Sequence, residues 1–120
     1  MKDFEVIFYE KPDGTEPAKE FLLSLDVKMR AKMVRTIELL QVNGYNLREP
    51  YSKNIDSGIF ELRAKVGSNI SRVMYFFVVD RKIILTNGFV KKSQKPPQEE
   101  IKRAKRYRED YYKRKGLKNE

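Results

Sequence analysis

From Ile59 to Lys92 the chain is dominated by β-branched and aromatic residues and cut twice by turn residues, the pattern of three consecutive strands. The segments are Ile59 to Val66, Ile70 to Val79 and Lys82 to Lys92. Gly67-Ser68 is a Gly-X pair suited to a type II′ hairpin turn, and Asp80-Arg81 is the second turn. A two-residue loop at Gly67-Ser68 pairs Val66 with Asn69 and sets Arg63 opposite Arg72. The same arithmetic at Asp80-Arg81 pairs Val79 with Lys82, Arg72 with Phe89 and Ile70 with Lys91. Side chains alternate faces along a strand, so Glu61, Arg63, Arg72, Asn87, Phe89 and Lys91 share one face. Phe60, Leu62, Ala64, Val66, Val73, Tyr75, Phe77, Val79, Ile84 and Val90 fall on the other, as a core.

The flanking segments frame this sheet. Phe4 to Tyr9 reads as a strand, ended by the turn Lys11-Pro-Asp-Gly14. Thr15 or Glu16 with Pro17 opens a helix whose apolar side is Phe21, Leu22 and Leu25. Asp26 caps a second helix, Val27 to about Val42, in which Met29, Met33, Ile37 and Leu40 recur at helical spacing. Asn43-Gly44 stops it, and Leu47 to Ile55 is read as irregular. Ser93 to Pro97 is a linker. Gln98 to about Lys115 is a helix with acids first and bases last, and Gly116 to Glu120 is a frayed end. The expected fold is α+β in a single domain, residues 1–120. A small antiparallel sheet of about four strands carries two N-terminal helices on its apolar face. The basic face is partly open, with the C-terminal helix near its rim.

Charge adds a partner to that picture. The chain has 26 Lys plus Arg against 17 Asp plus Glu, a net charge of +9, which favours nucleic acid or an anionic surface. No apolar run approaches the roughly 20 residues that span a bilayer, and no apolar stretch follows Met1-Lys-Asp-Phe as in a signal peptide, so a cytoplasmic protein with no membrane partner is expected. Cysteine and histidine are both absent, which removes disulfides, thiolate chemistry, zinc ribbons and the commonest acid–base group. No clustering of Asp and Glu suggests a metal site, and no cofactor is expected. Catalysis would have to use Lys, Arg, Glu, Asp, Tyr or backbone groups.

Two arginines directly across a ladder repel unless an anion lies between them, so Arg63 and Arg72 mark an anion site. On that reasoning, removing either one relieves repulsion and leaves the fold intact. Both can grip a phosphate bidentately, and a lysine crowded by arginines, Lys91 or Lys92, can move protons. Glu61 is the carboxylate on that face and a candidate base, or an ion-pair partner of the arginines. Phe89 can stack on a base or belong to the core under the last helix. Lys53 can add a phosphate contact.

Gly44-Tyr-Asn-Leu-Arg-Glu-Pro50, Lys53, Gly58-Ile-Phe-Glu-Leu-Arg63, Arg72-Val-Met-Tyr-Phe76, Gly88-Phe-Val-Lys-Lys92 and Glu100-Ile-Lys-Arg-Ala104 follow one another in an order and spacing seen elsewhere. Nearly the whole chain resembles the HigB branch of the RelE/ParE toxin superfamily, often described as phage-derived Gp49-like proteins. The resemblance implies a RelE-like fold and the toxin of a type II toxin–antitoxin pair. It implies a ribosome-dependent mRNA endoribonuclease that inhibits translation, acts through the RNA 2′-OH and needs no metal. Arg63, Arg72, Lys91, Lys92 and Glu61 would be its catalytic set, with Lys53 and Phe89 on the RNA. Its partners would be the ribosome, mRNA and a helix-turn-helix antitoxin. Two other readings stand beside it: a ParE-like gyrase-inhibiting toxin, and a non-catalytic basic nucleic-acid-binding module.

Overall fold

The computed structural model describes residues 3–90 and 97–116. In chain order the elements are β1 (Glu5–Phe8), α1 (Pro17–Ser24), α2 (Val27–Asn43), a 3₁₀ turn (Gly44–Asn46), β2 (Ser52–Asp56), β3 (Ile59–Val66), β4 (Asn69–Val78), β5 (Lys82–Val90) and α3 (Gln98–Lys115). The sheet has five strands in the order β1-β5-β4-β3-β2, not about four. The extra strand is β2, formed from the stretch read as irregular. Its Ser52–Asp56 segment has no apolar alternation of its own and becomes a strand by pairing with β3. Nor is the sheet wholly antiparallel, because β1 runs parallel to β5.

Local chemistry explains the helix starts. Pro17 stands first in α1 as expected, but Thr15 does not cap it, because its hydroxyl bonds the Asp13 carboxylate at 2.7 Å. Asp26 does cap α2, accepting the Met29 amide at 2.9 Å. Leu22, Met29, Met33 and Leu40 then pack on Leu62, Val73, Tyr75 and Leu85, covering one sheet face. The other face is covered too. Ile101, Ala104 and Tyr111 of α3 bury against Ile59, Met74, Phe76 and Ile84. The C-terminal helix therefore lies across the face that had been expected to stay partly open.

The hairpin registers hold a compensation. At Gly67-Ser68 the expected pairing appears, Val66 with Asn69 and Arg63 with Arg72, with Gly67 at φ 62°. At the second turn Lys82 pairs with Val78 rather than Val79, and both Asp80 and Arg81 adopt positive φ, 65° and 58°. That one-residue offset reverses the expected facing of the first half of β5. Ile84 joins the α3 side, while Ile83 and Leu85 join the α1/α2 side. Val79 and Val90, expected in the core, are exposed. A bulge then follows. Tyr75 pairs with Leu85 and Val73 with Gly88, which restores the expected Arg72–Phe89 pair beyond it.

Just past the bulge, an added Cβ on Gly88 would sit 2.2 Å from the Phe21 ring of α1. Gly88→Ala should lower stability by about 1–3 kcal/mol through overpacking, and Phe21→Leu in the same chain should recover part of it, as read by urea denaturation.

On the opposite face of the sheet, the Tyr9 hydroxyl donates to Asp110 of α3 at 2.6 Å. Burial, then the Asp110 bond and charge, push the Tyr9 hydroxyl up to about 12. Burial alone pushes Tyr75 up to about 12, with its hydroxyl hydrogen-bonded to Ser52. Both groups are raised, so the stability they contribute is complete below the ordinary tyrosine value of 10.0 and is lost as pH climbs toward 12. Stability measured by denaturant at stepped pH should fall across that window, less steeply in Tyr9→Phe.

Candidate functional site

Glu61 and Arg63 are two residues apart on β3 and so point to the same side, and Arg72 of β4 is the direct ladder partner of Arg63. The Glu61 carboxylate serves both arginines. Its Oε1 accepts the Arg63 Nε at 2.6 Å, and its Oε2 is 3.6 Å from the Arg72 Nη1. The anion that two opposed arginines require is thus internal. Glu61 and Arg72 have 0% side-chain exposure, while Arg63 keeps 15%. Burial pulls the Arg72 guanidinium below its ordinary value, with Glu61 opposing that shift and Arg63 reinforcing it. Arginine stays charged under such a shift, so one carboxylate and two guanidinium groups carry a net positive charge on this face.

The other expected site residues fall around this group. Lys53 is the ladder partner of Glu61 on β2 and is exposed, so it stands on the same face at the sheet edge. Phe89 faces Arg72 across the ladder and packs, half-buried, against the cluster under α3. Lys91 and Lys92 lie outside the described residues.

The bulge gives Asn87, expected on this face, and its neighbour Thr86 partners that the sequence did not assign. The Thr86 hydroxyl donates to the Asn87 Oδ1 at 2.7 Å, and the Asn87 amide donates to the Glu100 Oε1 at 2.9 Å and to its backbone oxygen at 3.3 Å. Arg103 closes the chain on the same Glu100 oxygen at 2.9 Å. The first turn of α3 is thereby fixed beside Phe89. Two further contacts hold the helix to the β2–β3 turn: Lys105 with Asp56 at 2.5 Å, and Arg108 with the Ser57 carbonyl at 2.6 Å. The Lys105 bond holds the Asp56 carboxyl below the usual carboxylate range. The sequence places Glu100 among the acids of the helix N-terminus and in the Glu100-to-Ala104 segment but gives it no strand partner, while Asn87-Gly88 is a visible signal for an irregularity in the strand.

The family model described as Phage derived protein Gp49-like (DUF891) matches residues 20–109, a span that includes Lys53, Glu61, Arg63, Arg72 and the bulge. The chain belongs to that family. The Gp49-like family is associated with toxin–antitoxin systems. No curated protein matches the chain. Among the described residues of this Gp49-like protein, no helix is long and apolar enough to cross a membrane.

The geometry revises one expectation about the arginines. With Glu61 between them they are not simply repulsive, and it is removal of the carboxylate that would leave two guanidinium groups without their shared counter-charge in a buried place. Glu61→Gln should destabilise the protein by roughly 3–5 kcal/mol in urea denaturation, the scale for breaking one partner of a buried pair. Arg72→Met added to Glu61→Gln should recover a substantial part of that loss. A Glu61→Gln variant as stable as the parent would show that the carboxylate is not what holds the two guanidinium groups.

Proposed function

We propose that this Gp49-like chain is the toxin of a type II toxin–antitoxin pair. On this reading it is a HigB/RelE-kind endoribonuclease that cuts mRNA on translating ribosomes, in the cytoplasm, and is held in check by an antitoxin. The observation that carries the proposal is the Glu61-held guanidinium of Arg63 at the margin of a buried charge group, in a chain from a toxin–antitoxin-associated family.

The chemistry suits those residues. The RNA 2′-oxygen forms a bond to phosphorus as the bond to the 5′-oxygen breaks, leaving a 2′,3′-cyclic phosphate and a 5′-hydroxyl. Charge accumulates on the phosphorane oxygens, and a guanidinium fixed before the reaction stabilises that charge without reorganising. Arg63 takes this role. Arg72 and Glu61 act through it: the carboxylate orients the Arg63 plane, and Arg72 balances the carboxylate. Glu61, fully buried and facing both arginines, is better suited to orienting than to proton abstraction. The proton leaving the 2′-OH and the proton reaching the 5′-oxygen then fall to Lys91 and Lys92. Lys53 contributes attraction for the phosphate chain, with Phe89 supporting Arg72 from across the ladder. No metal ion is required by this scheme.

Cleavage of a message bound in translating ribosomes tests the proposal. A 2′-deoxy substitution at the scissile nucleotide should abolish cutting while leaving ribosome binding unchanged. Arg63→Ala should lower the rate by about 100-fold or more at saturating ribosome, and Lys53→Ala should mainly weaken binding and flatten its salt dependence. Undiminished cutting of the 2′-deoxy message would rule out the mechanism. Growth arrest with intact messages but inhibited supercoiling would favour the gyrase reading, and salt-sensitive RNA binding without cleavage would favour the binding module.

A further inference from the structure

We infer that the solvent side of α2, with the end of α1, is a docking surface for an acidic amphipathic helix of a partner protein. The identity of that partner as the antitoxin rests on the function proposed above. Among the described residues, exposed large apolar side chains gather on this part of the molecule. Leu23 is 61% exposed, Val27 78% and Val42 62%, and Val34 is exposed beside them. Apolar side chains gathered along one helix face, here interrupted by Glu38, mark an interaction site more than scattered exposed residues do.

The helical geometry gives the surface its shape. Met29, Met33, Thr36 and Leu40 are the buried side of α2. Val27, Ala31, Val34, Glu38 and Val42 follow four- and three-residue steps along the opposite side, and all five are exposed. At 1.5 Å per residue, the stripe from Val27 to Val42 runs about 22 Å, the length of a four-turn helix. Leu23 extends it at the α1 end, where the Arg30 guanidinium donates to the Leu25 carbonyl at 3.0 Å and so holds the two helices together.

Charge selects the occupant. Lys28, Lys32 and Arg35 follow the same spacing and form an exposed basic row along one border of the stripe. Glu38 is the only acidic residue in α2. A second copy of a chain with net charge +9 would bring like rows together, and nucleic acid would leave the valines against a polar backbone. A helix with an apolar face bordered by Glu or Asp satisfies both features, burying the valines and pairing with the basic row. The surface lies on the helical layer opposite to the α3 side of the sheet. A partner seated there would leave Arg63 and Lys53 uncovered.

A fluorescein-labelled synthetic helix of about 18 residues, with leucines on one face and glutamates bordering them, is the probe for the full-length chain. Anisotropy should show saturable binding that weakens at least ten-fold in Val27→Glu/Val34→Glu and in Lys28→Glu/Lys32→Glu. Both variants should keep the parent's unfolding midpoint, since the residues are exposed and glutamate is a better helix former than valine. Equal affinity for parent and variants would overturn the inference. So would concentration-dependent dimerisation abolished by the valine substitutions, which would assign the surface to a second copy. The antitoxin, titrated in the same way, separates the two readings. If it binds parent and variants alike, the docking surface is wrong and the toxin function stands. If the parent arrests neither growth nor translation, the toxin function is wrong and the peptide result is unaffected.

Discussion

The Glu61 carboxylate between Arg63 and Arg72 is the constraint on which the rest of this structure depends. A fully buried guanidinium is tolerable only beside a counter-charge, and the hairpin at Gly67-Ser68 places that counter-charge on the neighbouring strand by register alone. Slipping β3 against β4 by one residue would turn Glu61 and Arg63 toward the methionine- and leucine-lined core under α2 and leave Arg72 on the other face without its counter-charge. The charge group therefore does more to exclude wrong pairings than to stabilise the right one. Gly67 and the charges specify the same register independently.

That specification was legible in the sequence because it is local. The glycine turn, the pairing of Arg63 with Arg72, the Asp26 cap and the helical spacing of Met29, Met33 and Leu40 all follow from residues near one another in the chain. The burial of Arg72 was not legible, because it depends on α3 docking across the sheet, and the amphipathic pattern of Gln98 to Lys115 does not say which surface it will meet. Strand β2 was hidden for a related reason: its pairing comes from β3, not from its own composition. At the second turn, positive φ at Asp80 and Arg81 shifted the strand by one residue in a way their side chains do not announce. The site was thus found by correct pairing, and the covering of its floor was missed.

The two sides of the sheet are built by different physics. Helices α1 and α2 are held mainly by apolar packing, and contacts of that kind accept many partners of the right shape. Helix α3 adds directional ties: Asn87 to Glu100 at its start, Lys105 and Arg108 to the β2–β3 turn along its middle, and Tyr9 to Asp110 near its end. Such ties fix position as well as burial. A phosphate-gripping arginine benefits from surroundings that do not drift, and the more rigidly tied side is the one that carries Arg63. The helical layer opposite is left with an outer surface that no part of the proposed chemistry uses.

The bulge at Thr86-Asn87 shows how such a tie arises. If one of its residues were missing, Leu85 would still meet Tyr75 and Gly88 would still meet Val73, with every later pair unchanged. For the ladder, then, this strand carries one residue too many. Asn87 stands on the face it shares with Phe89 and holds Glu100 there, so a residue of the bulge serves as the handle by which the last helix is held. Strand and helix are in this way free to change separately: substitutions that loosen the helix at Asn87 need not disturb the pairing that keeps Arg72 beside Glu61.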